Sequence, residues 1–204
     1  MEISYIFQIL TLLVSICILV LNILFSRIEK SREYLLENIT KQRNYDMLKM
    51  REISAEICAL TDVEIIEKKV CEVDYLEKLI LDSKHIDFLL KRYYKEDREV
   101  IEVKDKLVNS VINYCNDREP RNILQIQKYN KLFNKIAELF NYTAWQCIKE
   151  QAIGKRITTT EFSTLYIKYR TQYLSLEDEM MLISVISRGR NLNSVPKQLS
   201  LYYG

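Results

Sequence analysis

Residue types that commonly carry chemistry are few in this chain and widely spaced. The single histidine, His85, sits in Ser83-Lys84-His85-Ile86-Asp87 with no cysteine or second histidine nearby. A metal centre needs several His, Cys or carboxylate ligands at workable spacing, so His85 reads as a surface or half-buried helical residue. The five cysteines, Cys17, Cys58, Cys71, Cys115 and Cys147, stand singly, with no Cys-x-x-Cys among them. An odd number without framework spacing predicts free thiols in a reducing compartment. A thiol becomes a nucleophile only beside an activating base, and His85 would have to serve whichever cysteine were chosen. Gly154 and Gly189 are isolated, and no phosphate loop, dinucleotide fingerprint, paired-histidine motif or nucleophile elbow occurs. No cofactor or metal is therefore expected.

Carboxylates are plentiful, as in Glu96-Asp97 and Glu177-Asp178-Glu179, but neighbouring Lys and Arg predict ordinary solvated helix faces. The C-terminal third is rich in aromatics and cations: Tyr166, Lys168, Tyr169, Arg170, Tyr173, Arg188 and Arg190. Such a mixture can hold single-stranded nucleic acid by phosphate pairing and base stacking. Tyr166, Tyr169 and Tyr173, however, repeat at +3 and +4, the spacing of a buried helix face. With Lys+Arg 30 against Asp+Glu 28 and a net charge of +2, the chain lacks the concentrated basic balance of a nucleic-acid binder. Arg188-Gly189-Arg190 is a candidate grip for an anionic ligand or lipid headgroup. Trp145, following the apolar Ala144, is expected in the core.

The elements that must position these groups are helices. Only 3 Gly and 2 Pro occur in 204 residues, and so few breakers favour long helices over a many-stranded sheet. The expected fold is all-α: one N-terminal transmembrane helix followed by a cytosolic bundle of long helices. The expected division is an anchor over residues 1–26, a helical domain over 27–189 whose first part (27–60) is a stalk, and a tail over 190–204.

From Ile3 to Phe25 there is no charge, and Ile, Leu, Val and Phe dominate. At about 1.5 Å per residue this run spans a hydrocarbon core of ~30 Å. A cleaved signal peptide would need a basic start and a small-residue cleavage site; here the start is Met1-Glu2 and the far flank is Ser26-Arg27-Ile28-Glu29-Lys30-Ser31-Arg32. Cations follow the span and none precedes it, so the positive-inside rule puts the N-terminus outside and the domain in the cytoplasm. The expected location is the cell (inner or plasma) membrane. Within the span, Gln8, Thr11, Ser15 and Asn22 follow steps of +3, +4 and +7 and share one stripe. Such groups either bond their own backbone or seek partners on neighbouring helices, at a modest average gain of ~0.6 kcal/mol.

Beyond the span, Thr61 and Glu64 are placed for a capping box, opening a helix with Ile66, Val70, Val73, Leu76 and Ile80 on its apolar stripe. Asp82-Ser83 predicts a break or kink, and Tyr93 to Asp97 another. Asn116 to Asn122 is the clearest turn, with Pro120 set to open the next helix, which should end at Gly154. Thr158 with Glu161 predicts a second capping box, and Ser175-Leu176-Glu177-Asp178 the start of a last short helix stopped near Gly189.

Two stretches resemble parts of small single-span bacterial membrane proteins of unassigned function. One is Thr40-Lys41-Gln42-Arg43-Asn44-Tyr45 leading to Met50-Arg51-Glu52-Ile53-Ser54, similar to a helix carrying paired arginines eight apart. The other is Ala144-Trp145-Gln146-Cys147-Ile148-Lys149-Glu150, similar to a Trp-centred helix with Lys and Glu following. Here Ala144 and Cys147 replace charged residues, and Tyr45 stands where Trp is common. Some proteins of that kind lie among anti-phage defence genes, so the resemblance implies an effector or sensor role. It also makes Arg43 and Arg51, beside Arg188 and Arg190, candidate partner or anion contacts.

Three functions are compatible with these residues. The first is a membrane-anchored, non-enzymatic interaction or scaffold protein, which binds a protein partner or assembles with copies of itself. The second is a membrane effector that oligomerises through its polar-striped span and perturbs the bilayer. The third is a membrane-bound enzyme working with scattered carboxylates and tyrosines, for which carboxylates would have to converge in one pocket.

Overall fold

The computed structural model describes residues 2–69, 72–91, 94–153, 155 and 157–192, with side chains of 2–10, 31–32, 35–36 and 188–192 outside that description. Seven helices and no strand are present among the described residues: α1 (Glu2–Leu60), α2 (Val63–Lys69), α3 (Val73–Leu89), α4 (Lys95–Asp117), α5 (Pro120–Ala152), α6 (Thr159–Tyr173) and α7 (Leu176–Leu192). The fold is thus an all-α bundle. Its N-terminal helix has one stretch, Thr11–Lys30, long and apolar enough to cross a membrane.

α1 is a single helix of 59 residues, about 88 Å long at 1.5 Å per residue. Residues 11–30 are exposed on every side, and over the largely apolar part up to Phe25 that is a surface water does not suit. The same helix then enters the bundle, where Met50, Ile53 and Ile57 are buried. Their +3 and +4 steps line one face, which packs on α5 and α3. The helix that carries the apolar stretch is therefore also a wall of the core.

α5 is the central element and packs on α1, α4 and α6, while α7 rests on α4. Pro120 occupies its first turn, as its fixed φ favours, and Phe133 and Ile136 are fully buried. Between α4 and α5 the chain turns at Arg118, whose φ of 48° and ψ of 28° are left-handed. The capping box at α6 is formed: Thr158 Oγ1 accepts from Glu161 N–H at 3.3 Å, and Glu161 Oε2 accepts from Thr158 N–H at 2.8 Å. Ser175 and Asp178 make the equivalent exchange at the start of α7, at 3.3 and 2.8 Å.

Four local expectations are corrected. Thr61 does not cap α2: its hydroxyl is buried, donates to Ile57 O at 2.7 Å and accepts from Asn130 at 2.7 Å. Asp62 takes over, accepting the Glu64 N–H at 2.9 Å. The helix expected from Ile66 through Ile80 is two helices, α2 ending at Lys69 and α3 opening at Val73, and Tyr75 Oη of α3 donates to Leu60 O at 2.6 Å. Asp82 and Ser83 lie buried inside unbroken α3, since Ser83 O accepts from the fully buried Lys104 of α4 at 3.0 Å. Lys104 also reaches Asp87 at 2.6 Å and Asp105 at 3.0 Å, so its ammonium is compensated at every approach. Finally, α7 continues through Gly189 to Leu192. α3 ends at Leu89 and α4 begins at Lys95, so the break lies ahead of Lys95–Asp97, which are helical; Tyr93, Gly154 and the tail beyond residue 192 lie outside the described residues.

Candidate functional site

A cavity of ≈ 390 Å³ opens where α1 meets the C-terminal ends of α3 and α5 and the N-terminal ends of α4 and α6. That volume is within the range of small-molecule sites. α1 supplies Arg43, Asp46, Met47 and Met50; α5 supplies Phe140, Ala144, Cys147, Ile148 and Gln151. Leu89 and Leu90 close one side, and Phe162 and Ser163 of α6 another. Phe140 and Phe162 face each other with ring centroids 5.5 Å apart and tilted by 59°. The lining is thus apolar and aromatic beneath a polar rim.

Three carboxylates, Asp46, Glu96 and Asp97, converge on this cavity beside Tyr94. Two are already engaged. Asp46 Oδ1 accepts from the Gln42 amide at 2.8 Å, and Asp97 Oδ2 accepts from Lys91 N–H at 2.7 Å. Burial raises the Asp97 carboxyl above its usual range, against the lowering effect of that backbone donor. Glu96 is the third, 7% exposed and without a hydrogen bond or ion pair among the described residues. Gln151, 9% exposed, carries a buried amide oxygen that has no partner. Carboxylates thus do converge in one pocket, the arrangement that the enzyme reading requires, and the same groups can serve as acceptors for a bound ligand.

Cys147 also lines the cavity, but burial pushes its thiol from 9.0 up to about 11. Cys58, on the α1–α5 contact, is pushed to about 12, again chiefly by burial. Both hold their protons at neutral pH and are poor nucleophiles there. Ellman's reagent at pH 8 should therefore label Cys58 and Cys147 slowly in the folded chain and rapidly after guanidinium unfolding; equal rates would contradict the burial. The folded state retains these protons at pH values where the unfolded chain loses them. Stability should accordingly fall as pH rises from about 9 to 11, measured as a drop in urea midpoint.

The remaining sequence candidates are dispersed. Arg43 is exposed at the cavity mouth, whereas Arg51, eight positions on, is exposed away from it. Thr11, Ser15 and Asn22 are exposed on α1, and Ser15 Oγ donates to Thr11 O at 2.8 Å, its own backbone. The side chains of Gln8, Arg188 and Arg190 lie outside the described residues. Trp145 is not core: it is 41% exposed, with Lys149 Nζ 5.1 Å from its ring centroid. His85 is half-exposed, 4.0 Å from Asp82. No group of three or more metal-ligating side chains occurs among the described residues.

Two polar clusters were not anticipated. Arg170 joins Glu99 and Glu179 between α6, α4 and α7, and Tyr166 Oη donates to Glu99 at 3.2 Å. Glu96 was read as solvated, yet lies buried at the first turn of α4, where a carboxylate faces the positive end of the helix. Gln151 continues the stripe Thr143, Cys147, Gln151 at +4 steps, all buried; that periodicity was the available signal. No known protein family, curated protein or solved structure matches this chain.

Proposed function

We propose that this chain is a membrane-tethered helical interaction protein without catalytic activity. Its N-terminal segment crosses the cell membrane once, N-terminus outside, and the bundle works in the cytoplasm on a protein partner or on further copies of itself. The observation that carries this reading is the continuity of α1, which runs unbroken from the apolar stretch Thr11–Lys30 to the core residues Met50, Ile53 and Ile57. A domain built onto its own anchor is held at a set distance from the bilayer, as a presenting scaffold requires. Arg27 and Lys30 on the bundle side supply the orientation. Arg43, Arg51, Arg188 and Arg190 are its candidate contacts.

Chemical crosslinking of the full chain in native membranes, followed by mass spectrometry, tests this reading. Discrete crosslinks from the bundle to one partner or to a second copy are expected. A chain that stays uncrosslinked and runs as a monomer in detergent would reject it.

A second reading is an effector that perturbs the membrane, in line with the resemblance to small single-span bacterial membrane proteins, some of which lie among anti-phage defence genes. It is favoured by Asn22, an exposed carboxamide on the apolar stretch, which in lipid seeks a partner helix. Depolarisation of cells by the full chain, lost on removing residues 1–26 or on Gln8→Leu with Asn22→Leu, would support it. Unchanged potential would rule it out.

A further inference from the structure

We propose that the cavity between α1 and the helix ends is a binding site for a small organic cation, an apolar or flat aromatic body carrying N–H donors at one end. This goes beyond the interaction reading and does not depend on it.

The polar groups of the site have to be weighed by their burial, because a charge interacts more strongly where water is excluded. Arg43, the cation at the mouth, is exposed, so solvent screens it and an anion would gain little there. The buried polar side chains of the described lining are Glu96 and Gln151. Glu96 is 7% exposed as a residue and lines the cavity with no hydrogen bond or ion pair among the described residues, so its carboxylate is available to a donor that enters there. The buried Gln151 amide oxygen is without a donor, a deficit that an entering N–H relieves. A ligand with two or more N–H groups supplies what both lack. Among the described lining residues, Arg43 and Lys91 stand against Asp46, Glu96 and Asp97.

The apolar walls select the rest of the molecule. Phe140 and Phe162 present tilted rings to the cavity, and a cation over an aromatic face gains further attraction. Met47 and Met50 on the α1 side are flexible, polarisable fillers that accommodate a flat body.

Benzamidinium chloride is a suitable probe, with benzamide and benzoate as neutral and anionic counterparts of the same shape. The full chain in detergent, labelled with 13C at its methionine methyls, has only 5 such residues to follow. Benzamidinium should shift the Met47 and Met50 methyls saturably, while Met180 and Met181 stay in place. Benzamide and benzoate should bind at least tenfold more weakly. Glu96→Gln should weaken benzamidinium at least tenfold, and Gln151→Leu severalfold, with the Met180 and Met181 signals reporting that each variant is folded. Should Glu96→Gln unfold, the three-probe ranking on the native chain decides alone. No saturable shift, benzoate binding as well as benzamidinium, or a folded Glu96→Gln binding undiminished would overturn the proposal.

Discussion

Replacing Arg170 with methionine is expected to destabilise the bundle by about 3–5 kcal/mol, the cost of stranding a buried charge by removing its partner. Arg170 holds Glu179 through two bonds of 2.5 and 2.7 Å and Glu99 through two of 3.0 and 3.1 Å. The Glu99 side chain is 2% exposed, so without Arg170 it keeps only the Tyr166 hydroxyl. The guanidinium itself is held further above its usual value, mainly by the bond to Glu179, so Arg170 keeps its charge throughout the ordinary pH range. Urea unfolding of the full chain in detergent should show a lower midpoint at unchanged slope. Pairing Arg170→Met with Glu99→Gln should restore most of the loss, because the second change removes the stranded charge. A double variant as unstable as the sum of its parts would show that the cluster contributes packing rather than charge compensation.

Two lysines at the centre of the apolar stretch, Ile16→Lys with Leu19→Lys, are expected to move the chain from the membrane fraction to the soluble one. Each apolar residue there favours insertion by about 0.3–0.6 kcal/mol, and each lysine costs roughly 2.5–3.5 kcal/mol. The pair therefore offsets most of the several kcal/mol that insertion gains. Carbonate extraction reads the result directly. The bundle itself should keep its circular dichroism, since neither position touches the core cluster. Retention of the double variant in the membrane pellet would mean that something other than the apolar stretch holds the protein there.

The helical class was readable because it rests on local chemistry. Pro120 opens α5, Thr158 with Glu161 and Ser175 with Asp178 close the first turns of α6 and α7, and each needs only neighbours within three residues. What was not readable depends on distant partners. Thr61 resembles a cap until Asn130, 69 positions away, claims its hydroxyl. Asp82-Ser83 resembles a break until Lys104 of α4 binds the Ser83 carbonyl. Of the site, Phe140 and Cys147 share the apolar periodicity of α5, but nothing local marks Met47 and Met50 as lining or tells that Glu96 is buried while Glu177 faces water. Trp145 failed for the converse reason. An apolar neighbour predicts burial only if the helix face turns inward, and here α5 turns its face at 143, 147 and 151 to the core instead.

The unbroken course of α1 makes it a shaft as well as a spacer. A continuous helix transmits angle, about 100° per residue, so the azimuth of Asn22 about the helix axis is locked to that of Met50, 28 positions later, at roughly 80° apart. If two spans meet along the stripe of Asn22, the facing of both bundles is dictated by the number of residues between them. Inserting two residues after Glu37 would turn the bundle by about 200°, whereas inserting seven would turn it by about 20° and merely lengthen the reach by about 10 Å. Rotational phase, as distinct from distance, is thereby written into the length of the stalk.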